Sequence, residues 1–170
     1  MKEETKIQKD NWNLRKDITL LMIGALISAT TAFISDYMHE KRDSKKRNIE
    51  KKLELNDQLS KDLSKRAFLT IQGYKSKRDH DSIGYKKIAN DYMVCKEEWN
   101  LKRYSYVSLL RNYYGDSVQL RYKSIIYDPL IALGQQVEYD KIDSAFVEKY
   151  FLFERNADHF ISDIYKKVED

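Results

Sequence analysis

The stretch ITLLMIGALISATTAFIS, from Ile18 to Ser35, carries no charge and is bracketed by Asp17 and Asp36. As a helix it would be about 27 Å long at a rise of about 1.5 Å per residue, against roughly 30 Å for the hydrocarbon core of a bilayer. It reads as a retained transmembrane span. Two other readings compete. A cleaved signal peptide calls for a basic, acid-poor leader and small residues before a cut. Here residues 1–17 carry Glu3, Glu4, Asp10 and Asp17, and Thr30 with Ala32 make only a weak cleavage site. A buried core helix is the remaining alternative, because the run is at the short end for a span.

Within the run, Gly24, Ser28 and Ala32 recur every four residues, with Ala25 and Ala29 beside them. Such a small-residue face lets two helix backbones approach closely in lipid, and it predicts packing between spans. Immediately beyond the run come Lys41, Arg42, Lys45, Lys46 and Arg47, a denser basic cluster than Lys6, Lys9, Arg15 and Lys16 on the other side. The loop-charge rule then places the carboxyl-terminal side in the cytoplasm. The same cluster suits anionic lipid headgroups, at about 1 kcal/mol per basic side chain near the surface. Trp12 and Tyr37 flank the run as candidate interface markers.

Outward from the span, the chain divides into a polar tail (1–17), the transmembrane helix (18–35), a basic juxtamembrane segment (36–48) and a helical domain (49–170). That last part is long enough for a real core. A composition of 34% charged and 42% apolar residues, with one Pro and five Gly among 170, favours long helices over sheet. Charge is uneven: residues 36–87 hold 15 Lys/Arg against 9 Asp/Glu, whereas 88–170 hold 11 against 14. Pairing of basic and acidic helices accounts for this, as would attraction to an anionic surface. Cys95 is the only cysteine, so no intrachain disulfide forms, and its place in an apolar stripe reads as core.

Four stretches of the domain show helical spacing. The first carries Ile49, Leu53, Leu59, Leu63, Ala67, Ile71 and Tyr74 on one arc, and no helix breaker separates it from the span. The second carries Tyr85, Ile88, Tyr92, Cys95, Trp99, Tyr106, Leu109 and Tyr113, a coiled-coil-like seam interrupted by Lys102. The third, capped by Asp116 or Ser117, carries Val118, Tyr122, Ile125, Leu130, Leu133 and Val137. Pro129 either kinks it or opens a new helix capped by Asp128. The fourth, with Asp140 as its expected cap, carries Ile142, Phe146, Tyr150, Phe153, Ala157, Phe160, Ile164 and Val168. Gly73, Gly84, Gly115 and Gly134 are read as the breaks. The fold class expected is all-α: one amino-terminal transmembrane helix, then an antiparallel bundle of about four helices.

The motif search points away from catalysis. The histidines His39, His80 and His159 form no Glu-x-x-His or His-Glu-x-x-His pattern, and there is no paired cysteine motif. No phosphate-binding glycine loop or Gly-x-Ser-x-Gly elbow occurs. No cofactor or metal is expected. His80-Asp81 reads as a solvated turn. Arg155 and His159 on the fourth stretch resemble the Arg/His pair of helical HEPN-type ribonucleases, although three residues separate them where that family has four to six. The resemblance implies RNA cleavage by those two residues. Lys61, Lys65, Arg66, Lys75, Lys77 and Arg78 extend the basic character, but interleaved Glu54, Asp57 and Asp62 disfavour nucleic acid as the partner.

The expectation is therefore a non-enzymatic, membrane-anchored helical interaction or scaffold module that recruits a protein partner, or a second copy, at the bilayer. A membrane effector or receptor, whose domain senses a ligand and controls assembly of the spans, is the alternative. The HEPN-like ribonuclease is third.

Overall fold

A computed structural model describes the backbone of residues 2–168 and the side chains of residues 19–168 other than Ser82. Trp12 and the cations of the amino-terminal tail have side chains outside that set. Among the described residues the fold is all-helical, with no strand. Helix α1 (Lys2–Arg78) is followed by α2 (Ser82–Tyr114), α3 (Asp116–Arg121), a π-helical turn (Tyr122–Tyr127), α4 (Asp128–Glu138) and α5 (Phe146–Lys166). Two compact units divide the chain: residues 1–48 and residues 49–170.

In the first unit every residue from Thr19 to Asn48 is exposed. The run contains no proline, and two of its hydroxyls are satisfied within the helix. Thr30 Oγ1 donates to the carbonyls of Leu26 and Ile27 (both 2.9 Å), and Thr31 Oγ1 donates to Ile27 (2.7 Å). These bonds satisfy the Thr30 and Thr31 hydroxyls inside the apolar run.

In the second unit, the breaks between helices differ from the glycine pattern. Gly84 and Gly115 do sit at helix ends. Asp81 caps α2 by accepting from the Gly84 N–H (2.9 Å), and a Cβ at Gly84 would lie 2.1 Å from that carboxylate. Gly115 adopts φ 87°, the left-handed region that a side chain disfavours, and ends α2 by donating to the Arg111 carbonyl. Gly73 and Gly134, by contrast, lie inside α1 and α4. They are points of close approach: a Cβ would fall 2.9 Å from Val137 Cγ1 at Gly73 and 2.1 Å from the Tyr92 hydroxyl at Gly134.

The expected caps also shift. Gly115, rather than the Asp116 or Ser117 side chain, precedes α3, and Tyr127 precedes α4 without a side-chain cap. Ala145 rather than Asp140 precedes α5. Asp140 instead takes a left-handed φ of 57° and pairs with Lys77 at 3.1 Å. The π turn accommodates Pro129. Proline has no N–H for the carbonyl four residues back, so the chain widens, and the Asp128 N–H reaches the Lys123 carbonyl five residues back.

The core is built around α5. Phe146, Tyr150, Phe153, Ala157, Phe160 and Ile164 are all buried along one stripe. Against it runs α1 in the antiparallel sense: Lys52 Nζ donates to the carbonyls of Lys167 and Val168 (both 3.2 Å), the Tyr165 hydroxyl donates to Asp57, and Tyr74 stacks on Phe146 with centroids 4.6 Å apart. Trp99, Tyr106 and Leu110 of α2, Val118, Tyr122 and Ile126, and Leu130, Leu133 and Val137 of α4 complete the same core. A smaller cluster joins Leu69, Tyr92 and Cys95. Leu53, expected inside, is exposed, while Lys52, Asn56, Arg66 and Thr70 of α1 are buried.

Candidate functional site

Three places carry features beyond those that hold the helices together. In the first unit, the apolar run presents Leu20, Leu21, Met22, Ile23, Leu26, Ile27, Phe33 and Ile34 to the outside, each more than half exposed. Among the described residues nothing covers them. Gly24, Ser28 and Ala32 lie on that exposed helix, and a Cβ at Gly24 would meet nothing within 4 Å. The chain's own packing therefore places no demand on glycine there, although glycine in a helix interior costs about 1 kcal/mol relative to alanine. Lys41, Arg42, Lys45, Lys46 and Arg47 are also exposed, and among the described residues none forms an ion pair.

In the second unit a groove of about 770 Å³ runs between α1 and α5. Its floor is apolar, from Leu63 and Ala67 on one side to Phe153 and Ala157 on the other. Phe68 and Phe151 stand on its walls, 57% and 60% exposed. Burial of a phenylalanine is worth about 1.5–3 kcal/mol, so two left in water on facing walls mark a surface with unused binding capacity. The rim is charged: Lys75 lies towards one end and Glu154 and Asp158 towards the other. Among the described residues none of these three forms a hydrogen bond or ion pair through its side chain. Arg78, at the Lys75 end, is occupied by Asp79 (2.7 Å). The tyrosine on the groove floor, Tyr150, has its hydroxyl pushed up to about 12, first by burial and then by the Glu154 carboxylate. It stays neutral and offers a hydrogen bond rather than charge.

The third place is the interior around Arg66, only 1% exposed. Its guanidinium lies 5.3 Å from the Trp99 ring, and Nε and Nη1 have no acceptor among the described residues; nor has Trp99 Nε1. In the sequence Arg66 reads only as one more cation of the basic stretch from Lys61 to Arg78.

Other sequence candidates are dispersed. Arg155 and His159 are both exposed, one turn apart on α5. Lys102, which interrupts the α2 seam, reaches Asp62 at 2.7 Å. His80 is exposed in the turn before α2 with φ 54°. Cys95 is buried, and burial raises its thiol pKa, the opposite of an activated nucleophile. No group of three or more His, Cys, Asp or Glu suited to a metal ion occurs among the described residues. By length and composition, α1 contains one stretch apolar enough to cross a membrane. Comparison of the chain with known protein families, curated proteins and solved structures found no match.

Proposed function

We propose that this protein is a membrane-anchored helical interaction module. Residues 18–35 hold it in the bilayer, and residues 49–170 form an antiparallel bundle of four helical elements, α3 to α4 counting as one, that docks a protein partner. The observation that carries the anchor is the exposure of the apolar run from Thr19 to Ser35. Eight large apolar side chains at about 1.5–3 kcal/mol each amount to at most roughly 12–24 kcal/mol left unrealised in water. That argues for lipid around them and against a core helix. The Thr30 and Thr31 hydroxyls, already bonded to their own backbone, lower the cost of that environment. The unpaired basic cluster favours a cytoplasmic domain by the loop-charge rule. The uncovered groove between α1 and α5 supports docking as the role of the domain.

The test is fractionation of cells expressing the intact chain. It should sediment with membranes, resist carbonate extraction and leave the pellet only with detergent. A Leu21→Asp, Ile27→Asp double variant should move to the supernatant. A carboxyl-terminal tag should resist protease in sealed cells and become accessible on lysis. Wild-type chain in the supernatant, unproteolysed and without detergent, would overturn the anchor; an accessible tag in sealed cells would overturn the orientation.

A further inference from the structure

We propose that Lys41, Arg42, Lys45 and Lys46 form a one-sided site for the phosphate groups of anionic lipids, which the chain gathers beside its span. The helix runs without a break from the apolar stretch through Arg47, and every residue from Asp36 to Arg47 is exposed. At about 100° of turn per residue, those four cations share an arc of about 140°. Asp36, Glu40 and Asp43 fall within about 60° on the opposite side, with Arg47 among them. Orientation in a bilayer depends on how many cations a flank carries, not on which side of the helix they stand. A topology signal alone leaves this segregation without a purpose, whereas a ligand that lies to one side of the helix requires it.

Charge, depth and direction all suit a headgroup. The cations are unspent: Asp43 and Arg47 stand at the spacing of a helical ion pair, yet among the described residues no member of the cluster is paired. By helical rise, Lys41 and Arg42 lie about 9–10 Å past Ser35, and Lys45 and Lys46 about 15–17 Å. The headgroup layer extends about 5–8 Å beyond the hydrocarbon, so the long stems of the first pair can reach back into it. The second pair stands about one Debye length farther out, where the charge of an anionic surface is still felt. Direction completes the case. Every Cα–Cβ bond of a helix leans towards its amino terminus, and here that is the side of the span. The cationic stems therefore lean back to the bilayer surface.

This inference rests on the anchor reading, but the two fail differently. Without the anchor the chain is found in the supernatant; without the lipid site it stays in membranes and shows no lipid preference. The full chain is reconstituted in phosphatidylcholine vesicles with a trace of spin-labelled phosphatidylglycerol or spin-labelled phosphatidylcholine. The motionally restricted fraction of each label gives their relative association. The wild-type chain should prefer the anionic label at least about threefold, and added salt should reduce that preference. Arg42→Asp combined with Asp43→Arg keeps composition and net charge. It sets a carboxylate in the middle of the arc and a cation among the acids, and should bring the ratio close to one. Lys46→Gln should lower the ratio more than Arg47→Gln, although each removes a single charge.

No preference in the wild-type chain, or a preference indifferent to salt, would overturn the inference. So would an unchanged ratio in the exchanged variant, or equal losses in Lys46→Gln and Arg47→Gln. If inorganic phosphate abolished the preference where chloride of equal ionic strength did not, the ligand would be free phosphate and the lipid assignment would fall. None of those results moves the chain out of the membrane pellet, so the anchor would stand.

Discussion

Arg66 is a cation sealed inside the second unit with two of its nitrogens unpartnered. Taking a charge out of water costs several kcal/mol, against which Arg66 sets a cation–π contact with Trp99, worth about 2 kcal/mol, and one interaction with the Tyr92 hydroxyl. The position is therefore expected to be a stability deficit. Arg66→Met, which keeps the length and removes the charge, should stabilise the protein by about 1–4 kcal/mol. The check is a shift of the denaturant midpoint of the detergent-solubilised chain at unchanged slope; a lower midpoint would show that Arg66 has a partner that offsets its burial. Asp62 is the opposite case. Partial burial opposes its ionisation, but hydrogen bonds from Lys102, Tyr106 and Gln58 outweigh it and hold the carboxyl below its ordinary value of 3.8. The stability this confers is complete well above pH 3.8. It is lost as the pH falls below that value through the lower folded one. Asp62→Asn should flatten that part of an acid titration followed by circular dichroism, and an unchanged acid limb would sink the assignment.

Helix α5 and helix α1 show why some elements are readable in sequence and others are not. In α5 the stripe from Phe146 to Ile164 is apolar without exception, so spacing alone identified the buried face. In α1 the buried face includes Lys52, Asn56, Arg66 and Thr70, and a search for apolar spacing drifted onto Leu53, which is exposed. Each polar residue except Arg66 is explained by a contact that spacing does not encode. Lys52 meets the carbonyls of Lys167 and Val168 just beyond α5, Asn56 accepts from the Tyr114 hydroxyl (3.0 Å), and Thr70 donates to the Arg66 carbonyl (2.9 Å). A cation at a helix carboxyl terminus also opposes the negative end of the dipole. Lys52→Met should thus cost about 1–2 kcal/mol and speed amide exchange in the last turn of α5 more than in its middle, as hydrogen exchange would show. Uniform acceleration along α5 would instead mean that Lys52 supports the whole core. The glycines followed the same logic: Gly73 and Gly134 were legible as glycines, but only the packing partners Val137 and Tyr92 reveal that they mark contact rather than interruption.

At the scale of the whole molecule, the all-helical class and the apolar amino-terminal helix were legible because composition and hydropathy are properties of the chain itself. Gly24, Ser28, Ala32 and the basic cluster from Lys41 to Arg47 could be named for the same reason, and all of them are exposed. The groove was not legible. Phe68 and Phe151 are more than eighty positions apart, and nothing in either neighbourhood announces that α1 and α5 will lie side by side with those two rings on facing walls.

The antiparallel register of α1 and α5 has a mechanical corollary. Because Lys52 grips the carbonyls of Lys167 and Val168, the second unit receives the polypeptide and releases it at one and the same end. Tension between residue 49 and residue 168 therefore peels α5 away from α1 one rung at a time, starting at the lysine, instead of loading all the rungs together in shear. A tether pulled from those two points should yield at low force, and the lysine clip should be the first thing to open.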